Sequence, residues 1–194
     1  MDIGDKDNAI TVAIDHIRQS NLHYVDKFLI ICLLRNGLRV SDICKTNTWA
    51  ILDTYTSIIT SPKNNVTRLI QHAEAAEWAD IIKASGVLVQ YYRGRDYYYR
   101  QLKSLLPDYS ALRSKTRAVT HAARYIKAQQ VYDATGDLQA VADAIGDRTQ
   151  QAAARYLSDD QRRLIIKRGV ISRPTGSSGP IRVNKKGVIT VADK

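Results

Sequence analysis

Two runs rich in β-branched and aromatic residues, 55–60 and 66–70, interrupt a chain whose apolar residues otherwise recur at helical spacing. Between them lies SPKNN (61–65), with Pro62, Asn64 and Asn65. It reads as the turn of a β-hairpin that carries Lys63. One hairpin with helices on both sides restricts the fold to a mainly α chain with a small antiparallel β-sheet, an α+β class.

Around the hairpin the expected helices follow from periodicity and punctuation. Residues 9–19 place Ile10, Val12, Ala13 and Ile17 at helical spacing. A second helix, capped by Asn21 or Asp26, buries Phe28, Leu29, Cys32 and Leu33 and ends at Gly37. Ser41 reads as the N-cap of a short helix beginning at Asp42. Further helices are expected over 73–84, 97–106 (stopped by Pro107), 118–133, 138–145 and 149–157, with Gly136 and Gly146 as breaks. RPTGSSG (173–179) has linker composition, and IRVNKKGVITV (181–191) reads as two short strands. The expected organisation is therefore a domain over 1–168 and a basic linker with a hairpin-like tail over 169–194. A two-stranded hairpin is marginal alone, so the tail is expected to dock on something.

Composition narrows the function. No run of apolar residues is long enough for a membrane span. The acidic start MDIGDKDNAI is unlike a secretory signal or transit peptide. Cys32 and Cys44 are not spaced as metal ligands, and a reduced, cytoplasmic setting is expected. The net charge of +10 is unevenly spread: residues 91–127 hold nine Lys/Arg against two Asp/Glu, and 161–194 hold nine against one. Such stripes suit a polyanion, most simply double-stranded DNA.

Phosphoryl transfer without a metal needs cations for the non-bridging oxygens, a hydroxyl nucleophile and a proton donor for the leaving oxygen. Candidates appear in order along the chain: Arg39 in NGLRVSD, Lys63 in the turn, His121 and Arg124 in THAAR, and Tyr156 in GDRTQQAAARYL. His121 and Arg124 are three apart and share a helix face. A guanidinium can clasp phosphate through two donors. Taken singly, each is an ordinary surface or packing residue. In YYRGRDYYYR (91–100), Arg93, Arg95 and Arg100 can contact phosphates, as can Lys115 and Arg117. Equally, the tyrosines of this segment can pack on the core while its arginines are merely solvated.

Together the set resembles the tyrosine recombinase (phage integrase) family. GLRVSDI looks like the first arginine box, Trp49 precedes the hairpin, THAAR resembles the second box, and GDRTQQAAARYL resembles the third. The resemblance covers residues 10–157. It implies the recombinase catalytic-domain fold and a site of Arg39, Lys63, His121, Arg124, Asp147 and Tyr156. In that reading Tyr156 forms a 3′-phosphotyrosyl bond, Arg39 and Arg124 stabilise the phosphate, Lys63 protonates the leaving 5′-oxygen, and His121 assists proton transfer. No metal or nucleotide cofactor is implied. A homo-oligomer (dimer or tetramer) on DNA, assembled through the C-terminal tail, is implied as well.

Three departures stand out. Asp147 occupies the place of the family's usual His or Trp, and an ionised Asp only accepts hydrogen bonds. It can hold a neighbouring Arg, it can be protonated, or the site can be impaired. Tyr125 follows Arg124 where the family often has His. The residues ahead of the first box are too few for the family's N-terminal DNA-clamping domain. The sequence points to a site-specific DNA strand transferase. The alternatives are a catalytically impaired DNA-binding regulator of the same fold, or a type IB topoisomerase-like or telomere-resolving enzyme.

Overall fold

The computed structural model describes residues 3–105, 119–167, 181–183 and 189–191. The chain divides into two compact units, Met1–Ser158 and Asp159–Lys194. The compositional break expected at 168 lies ten residues beyond this division.

In the first unit, α1 (Ile3–Gln19) is followed by α2 (Tyr24–Asn36). Over Phe28–Leu34 helix α2 is apolar on every side, and this run is sealed from solvent. A helix of that kind belongs at the centre of a core. It packs against α1, the sheet, α4 (Ala76–Ser85) and α6 (Val119–Thr135). Phe28 meets the rings of Trp49 and His72 edge-on, at 6.1 Å and 5.1 Å between centroids.

The N-cap of α2 is neither Asn21 nor Asp26 but His23, whose Nδ1 accepts from Val25 N–H at 3.4 Å. Asp26 lies inside the first turn, fully buried, where it accepts from Tyr97 Oη (2.8 Å) and Tyr98 Oη (3.3 Å). At the other end α2 stops at Gly37, which adopts φ +59°. A Cβ there would lie 2.8 Å from Arg124 Cα on α6, so both the conformation and the close helix approach require glycine.

Helix α3 (Val40–Cys44) is capped by Arg39 rather than Ser41. Asp42 Oδ2 accepts from Arg39 N–H at 2.8 Å, and the Trp49 indole donates to Asp42 O at 2.7 Å. The sheet has three antiparallel strands rather than two: β1 (Trp49–Ile51), β2 (Thr56–Thr60) and β3 (Thr67–Gln71), in that order. Strand β1 is too short to show a period in sequence; its register, Trp49 opposite Ile59, is set by packing. The 61–65 turn closes with Asn65 at φ +55°, a conformation asparagine tolerates.

Helix α5 (Arg95–Leu105) follows. The expected stop at Pro107 lies outside the described residues. Helix α7 (Leu138–Ile145) begins at Asp137, whose side chain accepts from Gln139 N–H, and ends at Gly146 with φ +66°. The next helix is shorter than expected. A single α turn, α8 (Gln150–Ala153), capped by Thr149, continues as a 3-10 turn over Ala154–Tyr156.

The second unit contains α9 (Asp159–Lys167) and an antiparallel pair, β4 (Ile181–Val183) with β5 (Ile189–Val191). Among the described residues, no helix is long and apolar enough to cross a membrane.

Candidate active site

Arg39, Lys63, His121, Arg124 and Tyr156 are far apart in sequence, yet they line one cleft of about 120 Å³. Arg95 and Tyr99 of α5 complete its wall. Lys63 and His121 are exposed, Tyr156 is half-buried, and Arg124 is almost wholly enclosed.

Arg39 is aimed by its position at the N-terminus of α3. Arg39 Nη1 donates to Gly146 O at 3.1 Å and to Ser61 Oγ at 3.4 Å, and its Nη2 donates to Asp147 Oδ1. The same carboxylate oxygen accepts from Arg124 Nη2 at 2.8 Å. Asp147 therefore bridges Arg39 and Arg124. Arg124 Nη1 donates to Gly37 O at 3.0 Å, across the close approach that Gly37 permits. The Tyr156 ring lies against this guanidinium, 5.0 Å from its Cζ, a cation–π contact. Tyr125, the residue after Arg124, reaches Leu157 O at 3.4 Å and so holds the backbone just beyond Tyr156.

Beneath the cleft lies a layer the sequence did not reveal. Asp42 takes Ser61 Oγ on Oδ1 at 2.7 Å and sits 3.8 Å from Arg68 Nη2. Arg68 is buried; its Nη1 donates to Ala144 O at the end of α7. Burial is the main force lowering its pKa, to about 10; the charges of Arg124 and Arg39 act the same way and Asp42 opposes them. It is thus still cationic at neutral pH. Gly146 leaves room for this guanidinium, since a Cβ there would lie 3.1 Å from Arg68 Nε. The hairpin turn is tied to the same loop: Asn64 Nδ2 donates to Gly146 O (2.9 Å) and Arg148 Nε to Asn64 O (2.7 Å). Three guanidiniums share two carboxylates here, which leaves the cleft cationic before Lys63 and Arg95 are counted. That balance suits an anion bearing several oxygens.

The arginines of 91–100 divide by role. Arg95 lines the cleft. Arg93 lies over the rings of Tyr91 (5.0 Å) and Tyr97 (5.4 Å) and 3.9 Å from Asp26, so it is engaged in packing as well as exposed. Arg100 is exposed on α5. Lys115 and Arg117 lie outside the described residues. Tyr98 is buried, and burial together with Asp26 raises its pKa.

Two signals for the missed residues were present in the sequence. Arg68 lies two residues before the core residue Ile70 on β3, so the strand's period of two places a charge on its buried face. Tyr99 lies one helical turn after Arg95, on the same face of α5.

No family model matches the chain, and no curated relative matches it. Solved structures do. A XerH site-specific recombinase in a post-cleavage complex with palindromic difH substrate aligns at a TM-score of 0.59 and 15% identity, over 84% of this chain and 51% of that one. XerH in a pre-cleavage complex with difH substrate aligns at 0.56 and 15%, over 76% and 47%. XerA recombinase aligns at 0.56 and 16%, over 86% and 63%. The chain spans roughly half to two thirds of the length of these proteins. Its fold is tyrosine recombinase-like.

Proposed function

We propose that this chain is a DNA strand transferase that cuts and rejoins double-stranded DNA through Tyr156. The observation that carries the reading is the convergence of Arg39, Lys63, His121, Arg124 and Tyr156 on one cationic cleft. In the proposed step Tyr156 Oη attacks the scissile phosphorus. The P–O5′ bond breaks, and the 3′-phosphate becomes an ester of the tyrosine. The phenol proton leaves with help from His121, and Lys63 supplies a proton to the departing 5′-oxygen. Arg39 and Arg124 offset the charge that builds on the non-bridging oxygens. Attack by the 5′-hydroxyl reverses the step, so bond energy is conserved and the chemistry balances without a nucleotide. The Arg124 guanidinium lies against the Tyr156 ring, where it can act on nucleophile and phosphate together.

The test uses a nicked duplex library of randomised sequence, incubated with the protein and resolved on a denaturing gel. A covalent protein–DNA band that disappears in Tyr156→Phe is expected. Tight DNA binding with no band from the wild type would sink the enzyme reading. It would favour the second one, a regulator of the same fold, for which the observation is the carboxylate of Asp147 between the two arginines.

A further inference from the structure

We infer that Asp147 is an internal stand-in for the phosphate, closing the Arg39–Arg124 clamp on the protein's own carboxylate until a DNA phosphate displaces it. The inference rests on the reading of Arg39 and Arg124 as the phosphate-binding pair. One oxygen, Asp147 Oδ1, accepts from Nη2 of both guanidiniums, which reach it from different elements. A non-bridging phosphate oxygen held by the two arginines would make that same contact.

The clamp is not saturated by the carboxylate. Arg124 Nε is buried and has no acceptor among the described residues. A guanidinium has five donors, and a phosphate offers more acceptor positions than one carboxylate oxygen can. The backbone under Asp147 is fixed: its N–H donates to Ala142 O at 2.8 Å, and Gly146 and Arg148 are tied to Asn64 on the hairpin turn. Exchange therefore proceeds by rotation of the Asp147 side chain rather than by movement of the loop.

The electrostatics give the exchange a consequence. A phosphodiester carries one negative charge, as does the carboxylate. Swapping one for the other leaves the local charge unchanged, so an isolated phosphate gains little. A phosphate presented by a duplex gains from every other contact the duplex makes. Asp147 thus makes the clamp answer to bound DNA and not to free anions, and it shields Arg124, beside Tyr156, from them.

The test is the affinity of the full chain for inorganic phosphate, by calorimetry, in the wild type, Asp147→Asn and Asp147→Ser, with circular dichroism to verify folding. Removing the competing charge is expected to raise phosphate affinity about tenfold or more. Unchanged or lower affinity in folded variants would overturn the inference and make Asp147 a residue that orients the arginines for phosphate. Loss of a carboxylate from a buried pair is destabilising, so the wild type supplies a second measurement. With 13C-labelled aspartate carboxyls, titration of the wild type with duplex DNA is expected to shift a carboxyl resonance; if the duplex binds and none moves, the inference fails even where neither variant folds. A missing DNA adduct from the wild type together with a phosphate gain in Asp147→Asn would fault the transferase reading and not the clamp.

Discussion

Gly37 links the core to the clamp, and Gly37→Ala measures that link. Two costs arise there. An alanine held at φ +59° loses about 1–2 kcal/mol to the left-handed conformation. Its Cβ would also stand 2.8 Å from Arg124 Cα and 3.2 Å from Lys127 Cβ, and the first of these is backbone that cannot swing aside. Forcing a methyl into such a contact costs about 1–3 kcal/mol more. Gly86 provides the control, since it has φ +63° but nothing within 4 Å of the place a methyl would occupy. Gly86→Ala should therefore lose only the conformational part. In urea melts followed by circular dichroism, Gly37→Ala is expected to be less stable than Gly86→Ala by about 1–3 kcal/mol. At about 2–4 °C per kcal/mol for a chain of this size, that is a further fall in Tm of roughly 2–12 °C. The Gly37 O to Arg124 Nη1 bond spans the same contact, so phosphate affinity should fall as well. Equal losses in the two variants would refute the close approach of α2 and α6 at this point, and with it the account of how Arg124 is positioned.

Other outcomes follow from the same structure. His72 is buried against Phe28, with Ser57 Oγ 2.9 Å from its Nε2, and burial lowers its pKa. Its contribution is full above the unfolded value of about 6.5 and is lost as pH falls toward the lowered folded value, so urea midpoints should drop between pH 7 and 5 and drop less in His72→Phe. Arg95→Ala should weaken duplex binding and reduce its salt slope by about 1, whereas Arg93→Ala should leave both nearly unchanged and lose about 0.5–1 kcal/mol of stability from its tyrosine contacts. Sizing of the chain on DNA, with and without residues 169–194, checks the tail: the truncated chain should still bind but form complexes of lower mass.

What the sequence disclosed depended on how local each device is. Helix α7 was legible to the residue because Gly136 and Gly146 punctuate the chain on either side of it within the segment itself. Arg39, Lys63, His121, Arg124 and Tyr156 could be named because each sits in a short motif, and their order carried the resemblance. Asp26 was misread as a cap because its partners, Tyr97 and Tyr98, lie on a distant helix. Strand β1 exists through its pairing with β2 and has no period of its own. The layer under the cleft was hidden for the same reason: Arg68, Asp42, Ser61 and Asn64 gain their roles only when the hairpin folds back onto α3 and the end of α7. Asp147 was singled out by its departure from the motif, but its partners depend on a loop geometry that no spacing encodes.

In the proposed reaction the cleft transfers the 3′-phosphoryl group of a DNA strand to Tyr156. Tandem mass spectrometry of the trapped protein–DNA adduct, after nuclease digestion, tests it most directly. The expected result is a residual nucleotide esterified to Tyr156 in the peptide that contains ARYL. A nucleotide on any other residue, or no modified peptide from chain that binds the duplex tightly, would contradict it.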